Sequence, residues 1–222
     1  MKIAADYLPG IINIRESEVF SLVIEHKELF LHVVQDLYLQ ISTGMEGELI
    51  LSKNDKVIKP SKRVELVTSF IPFDLNEKRL ISKINSILEE RALDENNYHV
   101  TMSMLANIER FANHLSEDFP LTLVCNGITP AGLVKMFNIS IEDDSSSNIE
   151  RILNYMSIVN DLLGDKLFVF INMTLFFSDD DMQGFITTCN MHKYSVLLID
   201  GIDCKRYDGI SRLIIDKDLC TI

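Results

Sequence analysis

The sequence has no tryptophan, only four cysteines, nine glycines and five prolines, and its 21 Lys and Arg residues are outnumbered by 33 Asp and Glu. Each shortage excludes something. The cysteines (Cys125, Cys189, Cys204, Cys220) stand far apart, with no CxxC pair and no histidine at zinc-ligand spacing. Neither a disulfide framework nor a zinc site is expected, and they read as core fillers in a reducing compartment. No apolar run approaches the roughly 18 to 20 residues that cross a bilayer. Pro9-Gly10 interrupts the start before a signal-like stretch develops. A cytoplasmic protein with no membrane partner is the expectation. The net charge of −12 points away from a generic nucleic-acid binder. Affinity for phosphate depends on where cations cluster, so local charge has to decide that question.

What is present is a core-forming chain. Its 222 residues are 47% hydrophobic without a low-complexity tract, enough for one large domain or two small ones. The first part reads β-α-β. Residues 13–23 suit one or two short strands, and 25–40 carry Leu29, Phe30, Val33, Val34, Leu37 and Tyr38 at helical spacing. Residues 48–51 read as a strand, 52–63 as a basic turn, and 64–70 as another short strand closed by Pro72.

The middle is helical. Asp74 with Glu77 predicts a capping box opening a helix that runs to about Leu93, with Leu80, Ile81, Ile84, Ile87 and Leu88 as its stripe. A second helix over 99–115 presents Met102, Leu105, Ile108 and Phe111, and Pro130 suits the first turn of a third ending near Phe137. The last third returns to α/β alternation: a short strand and turn over 137–144, a helix over 148–163 ended by Gly164, and a buried strand over 166–172. Ser178 and Asp179, Asp180 and Asp181 cap a helix to about Met191, "YSVLLID" is a second buried strand, and 212–222 add an edge strand. The predicted organisation is an α/β head from residues 1–70 and 139–222, with a helical leg, 71–138, inserted into it.

Signals for catalysis are missing. There is no GxxxxGK[ST], no GxGxxG after a strand, no GxSxG and no HExxH. His26, His32, His99, His114 and His192 are scattered and read as structural. Asn172 follows "FVFI" where a magnesium-binding Asp would be wanted, and Asp200 after "VLLI" is half a motif. No enzyme is expected and no cofactor required. One cluster stands out: Lys53, Lys56, Lys59, Lys62 and Arg63 are five cations within eleven positions, broken by Asp55. They read either as a solvated turn or as a phosphate-contacting patch. Without interleaved aromatics, such a patch would grip duplex backbone without reading sequence.

Several stretches resemble the spacer-acquisition family of type II-A CRISPR systems, called Csn-two. "LFLHVVQDLYLQ" leads to "GELILSKNDKVIKPSK" and then to "VELVTSFIPFDLNEKRLISKINSILEE". "ITPAGLVKMFNISIE", "IERILNYMSIVNDLLGDKLFVFIN" and "VLLID" follow in order. The resemblance covers nearly the whole chain. It implies a P-loop-NTPase-like α/β head whose nucleotide site is degenerate, plus an extended α-helical leg. It implies a non-enzymatic homotetrameric ring that takes double-stranded DNA ends through a basic hole. Its partners would be the adaptation integrase and the effector nuclease, in support of new spacer acquisition. Lys56 and Lys59 match the family's K-x-x-K turn, with Lys53, Lys62 and Arg63 in support. The alternatives are a degenerate P-loop-like nucleotide hydrolase using Asp200 or the Asp179 cluster, and a protein scaffold of the adaptation complex.

Relatives carry a dense acidic leg segment associated with calcium. Here "SEDFPLTLVCNG" offers only Glu117 and Asp118, against the about six to eight oxygen ligands calcium takes. Packing through Phe119, Leu121 and Leu123 is expected to replace it.

Overall fold

The computed structural model describes residues 1–15, 17–71, 73–117, 119–121, 123–124, 126–203 and 205–222. The strand stop at Pro72, the metal candidate Asp118 and the core-filler cysteines Cys125 and Cys204 lie outside the described residues. The chain divides into two compact units, Met1–Phe73 with Ser145–Ile222, and Asp74–Asp144. No helix among the described residues is long and apolar enough to cross a membrane.

The larger unit is built on a five-stranded sheet of β3 (Val19–Ile24), β6 (Val64–Val67), β7 (Leu167–Ile171), β8 (Ser195–Asp200) and β9 (Ser211–Ile215), all in parallel pairs and in the order β6-β7-β8-β3-β9. Strands covered on both faces lose the polar alternation of a half-exposed strand. "LFVFI" of β7 accordingly buries all five residues. On one face Phe20, Leu22, Ile24, Leu167, Val169, Ile171, Leu197 and Ile199 pack with Leu29, Val33 and Leu37 of helix α1 (Lys27–Thr43). On the other, the Phe170 ring meets Phe185 of α7 (Asp179–Met191) edge-on at 5.5 Å. There Tyr155 of α6 (Asn148–Leu163) donates to the buried Glu65 of β6 at 2.7 Å. Ser178 caps α7 by accepting from the Asp181 amide, and three aspartates fill the first turn, as the dipole favours. Gly164 ends α6 at φ +76.

A second sheet was not legible in the sequence. It is antiparallel, β2-β1-β4-β5, from β1 (Lys2–Ala4), β2 (Ile12–Asn13), β4 (Ile50–Lys53) and β5 (Lys56–Ile58). It shares the core of α1 through Ile3, Ile12 and Leu51. Asp36 of α1 anchors it by accepting from the Leu49 amide at 2.6 Å and the Tyr7 hydroxyl at 2.9 Å.

The smaller unit holds α3 (Lys78–Ala92), α4 (Tyr98–Ser116) and α5 (Pro130–Met136). The Asn76 side chain closes it, donating to the Ile141 carbonyl and accepting from the Ile141 amide. Three expectations fail here. Asp74 does not cap α3: its carboxylate takes the Asn76 amide at 2.8 Å in a local turn, Glu77 occupies the cap position, and the Glu77 side chain pairs with Arg79. Residues 137–144 form no strand, because their backbone groups at Ile141 are bonded to Asn76 instead. Phe119, Leu121 and Leu123 pack no core and are all exposed. In the larger unit, Cys189 is buried as expected, but Cys220 is exposed beside Asp216, in the tail that follows β9.

Candidate nucleic-acid interface

The basic segment is a hairpin followed by one helical turn rather than a simple loop. Asn54 and Asp55 both have positive φ, +51 and +58, which suits a two-residue turn whose twist matches the flanking strands. That turn sets Lys53 and Lys56 directly opposite each other across β4 and β5. Like charges in that position are destabilising, so the segment carries a local electrostatic cost. Lys2 offsets Asp55 with an ion pair of 3.0 Å, which leaves the lysines dominant in the turn.

Lys59 is extended and precedes α2 (Pro60–Arg63), where the buried Pro60 takes the first helical position that needs no amide hydrogen. Lys62 and Arg63 complete that turn, immediately before β6. Lys56, Lys59, Lys62 and Arg63 are exposed and Lys53 is half-buried. All five border one surface groove of about 530 Å³. The fold therefore brings together all five cations singled out in the sequence.

It also brings in two that sequence reasoning missed. Parallel register sets Val64 beside Leu167 and Leu167 beside Ser195. Arg63, Lys166 and Lys193 consequently emerge at the same, amino-terminal edge of the sheet. Arg63 donates to the Asp165 carbonyl at 3.2 Å and Lys166 to the Lys62 carbonyl at 2.5 Å. These residues are over a hundred positions apart, and only the strand order could have joined them.

The opposite edge of the sheet is where open α/β folds hold nucleotides. After β3 the backbone enters α1 without a glycine loop, and His26 accepts the Leu29 amide on its own Nδ1 at 3.2 Å. The helix end that would cradle a phosphate is thus occupied by its own cap, with Glu25 and Glu28 beside it. Asn172 accepts the Gly201 amide at 2.9 Å. Asp200 accepts from Thr174 at 2.7 Å, and its burial pushes the carboxyl pKa upward against the opposing Thr174 hydrogen bond and Arg212 charge. The Asp179 carboxylate is engaged by Tyr207 and Lys205.

For calcium, Glu117 follows α4, exposed and paired with His114 at 3.3 Å. Among the described residues no three His, Cys, Asp or Glu side chains come together to hold a metal. Among the described residues, Glu117 with its His114 partner falls short of the about six to eight oxygen ligands that calcium takes.

A five-stranded parallel sheet flanked by helices, with a basic hairpin near the amino-terminal edge of its strands, defines an α/β protein. Residues 40–219 match the family model described as CRISPR-associated protein (Cas_Csn2), and the chain belongs to that family. It is 22% identical over 215 residues to CRISPR-associated protein Csn2 of Streptococcus agalactiae, covering 94% of this chain and 87% of the relative. It is 23% identical over 181 residues to CRISPR-associated protein Csn2 of Enterococcus faecalis, covering 81% of each. The crystal structure of Stu0660 of Streptococcus thermophilus shares the fold, with a TM-score of 0.57 at 14% identity over 97% of this chain and 74% of that one.

Proposed function

We propose that the chain binds double-stranded DNA ends without sequence preference, as a homotetrameric ring, in support of spacer acquisition by type II-A CRISPR systems. The observation that carries this is the gathering of Lys53, Lys56, Lys59, Lys62 and Arg63 on one groove of a chain whose net charge is −12. Cations concentrated against an acidic background focus phosphate onto one surface and repel it from the rest. The cost of setting Lys53 opposite Lys56 is of the kind proteins retain where charge itself is used.

Self-assembly draws support from the smaller unit. Tyr98, Val100, Met104, Phe111 and Leu115 of α4 are exposed, as are Phe119, Leu121 and Leu123 beyond it, a surface that an assembled ring would cover. The head is read as a P-loop-like sheet that has lost its ligand, and the protein as no enzyme. The His26 cap, the amide at Asn172 and the engaged Asp179 favour this over nucleotide hydrolysis. No calcium is assigned to it. The adaptation integrase and effector nuclease are its expected protein partners, in the cytoplasm.

A gel-shift titration of a Lys56→Glu/Lys59→Glu variant tests the basic groove. The variant is expected to fold and assemble normally yet bind duplex at least about tenfold more weakly, with a shallower salt dependence, because two phosphate contacts are lost. Unchanged binding would remove the groove from the account.

A further inference from the structure

The antiparallel sheet borders a cleft that shares no residue with the basic groove. It measures about 410 Å³ and lies between residues 4–11 and residues 47–50. Its apolar wall is made by Ala4, Ala5, Leu8, Ile11 and Ile50, and its charged lining residues are Asp6 and Glu48. The outward positions of an antiparallel sheet are ordinarily polar. Here Ile50 stands opposite Ala4 in the register of β4 and β1, and Ile11 and Ile50 keep 62% and 49% of their surface exposed. Met45, also exposed, lines an adjoining cleft of about 360 Å³ that shares Gly47 and Ile50 with the first. Lys59 lines that second cleft too, so the net acidity belongs to the larger one.

Gly47 adds a second observation. A Cβ there would overlap the Asp36 carboxylate and the Gln40 amide, so only glycine lets the chain pass this close to α1. The same two side chains hold the residue two positions on. Asp36 accepts the Leu49 amide, and Gln40 donates to the Leu49 carbonyl at 3.0 Å. The edge shared by the two clefts is therefore fixed before any partner arrives, which lowers the ordering cost of binding. The carboxylates beside it are open. Among the described residues Asp6 is exposed and has no ion-pair partner. Glu48 faces His32 at 3.4 Å with 65% of its side chain in solvent.

We propose that this acidic, apolar face docks a partner protein through a segment that presents aliphatic side chains between lysines or arginines. The apolar wall takes the aliphatic side chains, and Asp6 and Glu48 complement the flanking cations. Duplex is a poor occupant, because the carboxylates repel phosphate. A second copy packed face to face would bring the same carboxylates into one isologous interface, between chains that each carry a net charge of −12. A basic partner meets neither penalty. The inference stands apart from duplex binding, whose cations lie on the other groove.

Fluorescence anisotropy of the full chain with the labelled peptide Lys-Lys-Leu-Ser-Leu-Lys-Lys reads the face directly. The native protein is expected to bind it at least about tenfold more tightly than Lys-Lys-Ser-Ser-Ser-Lys-Lys, and more weakly as salt rises. Ile11→Ser with Ile50→Ser should lose about tenfold or more in affinity for the leucine peptide. Asp6→Asn with Glu48→Gln should lose about threefold to tenfold and flatten the salt dependence. That pair is exposed and near-isosteric, so it carries the test even where serine at Ile50 lowers the melting temperature. The Lys56→Glu/Lys59→Glu variant should keep peptide binding, so the two surfaces fail independently. Equal affinity for the two peptides would reduce the face to unspecific charge and overturn the proposal. Unchanged affinity in Asp6→Asn/Glu48→Gln, or in a folded Ile11→Ser/Ile50→Ser, would do the same. A fall in the assembled mass of Ile11→Ser/Ile50→Ser by light scattering would assign the face to a second copy and overturn it as well.

Discussion

Strand β7 and helix α4 divide the apolar residues of this protein in opposite ways. All five residues of β7 are buried, whereas of the 19 residues of α4 only Thr101 is. The sequence patterns differ in the same sense: β7 is a continuous apolar run, and α4 spreads its apolar side chains over more than one face, with Met102, Leu105 and Ile108 half-buried and Phe111 exposed. A sheet covered on both faces secures its own stability from dispersion and burial. A helix that leaves this much apolar surface uncovered gains little from its own unit, and in the proposed assembly a second copy would cover it. On the proposed assembly one region is constrained by folding and the other by association, and their substitutions should behave differently.

The largest effect is expected in the sheet. Phe170→Ala removes a ring wedged between Phe70 and Phe185 and should cost about 3 to 5 kcal/mol in denaturant unfolding. Tyr155→Phe should cost less, about 1 to 3 kcal/mol, because the buried Glu65 loses the phenol donor while packing is kept. A Phe170→Ala loss under about 1 kcal/mol would contradict the close packing assigned to the head.

Asp200 gives a pH-dependent contrast. Burial raises its folded-state pKa above the unfolded value, so between those two values it keeps its proton in the fold while the unfolded chain ionises. The associated stability is fully present below the ordinary carboxylate pKa and is lost as pH rises through the folded value. Asp200→Asn keeps an acceptor for Thr174 and removes that titration. Its stability gain over the native chain should be greatest at neutral pH and shrink toward pH 4, as read from melting curves. A gain that is independent of pH would show that folding does not raise the Asp200 pKa.

The smallest effect on folding, and the sharpest test of the contrast, is on α4. Phe111→Ser with Leu115→Ser should change unfolding stability by less than about 0.5 kcal/mol, as surface substitutions do. It should nevertheless reduce the assembled mass seen by light scattering. A stability loss comparable to that of Phe170→Ala would erase the distinction between the two regions.

The elements that could be read directly were those with strong local causes. Pro130 does open α5, with Thr129 accepting the Gly132 amide, and α6 runs from Asn148 to Leu163 before Gly164. β7, α7 and β8 were announced by apolar runs and by Ser178 with its aspartates. The antiparallel sheet was not, because two of its strands are only three and two residues long and show no periodicity. Asp74 misled for a different reason. An aspartate near a helix start can spend its carboxylate on a turn two residues on, and Asp74 does so with Asn76. Of the candidate site, the five clustered cations were legible from spacing alone. Lys166 and Lys193 were not, since nothing local distinguishes them from other surface lysines. They join the cluster only through the parallel register of β6, β7 and β8.

Binding of linear and covalently closed circular duplex of the same sequence, compared by gel shift at two salt concentrations, tests most directly whether the protein takes DNA by its ends as a ring. Tight, salt-sensitive binding of the linear form with little binding of the closed circle is the predicted result. Equal binding of both forms would contradict the ring and leave an open basic surface in its place.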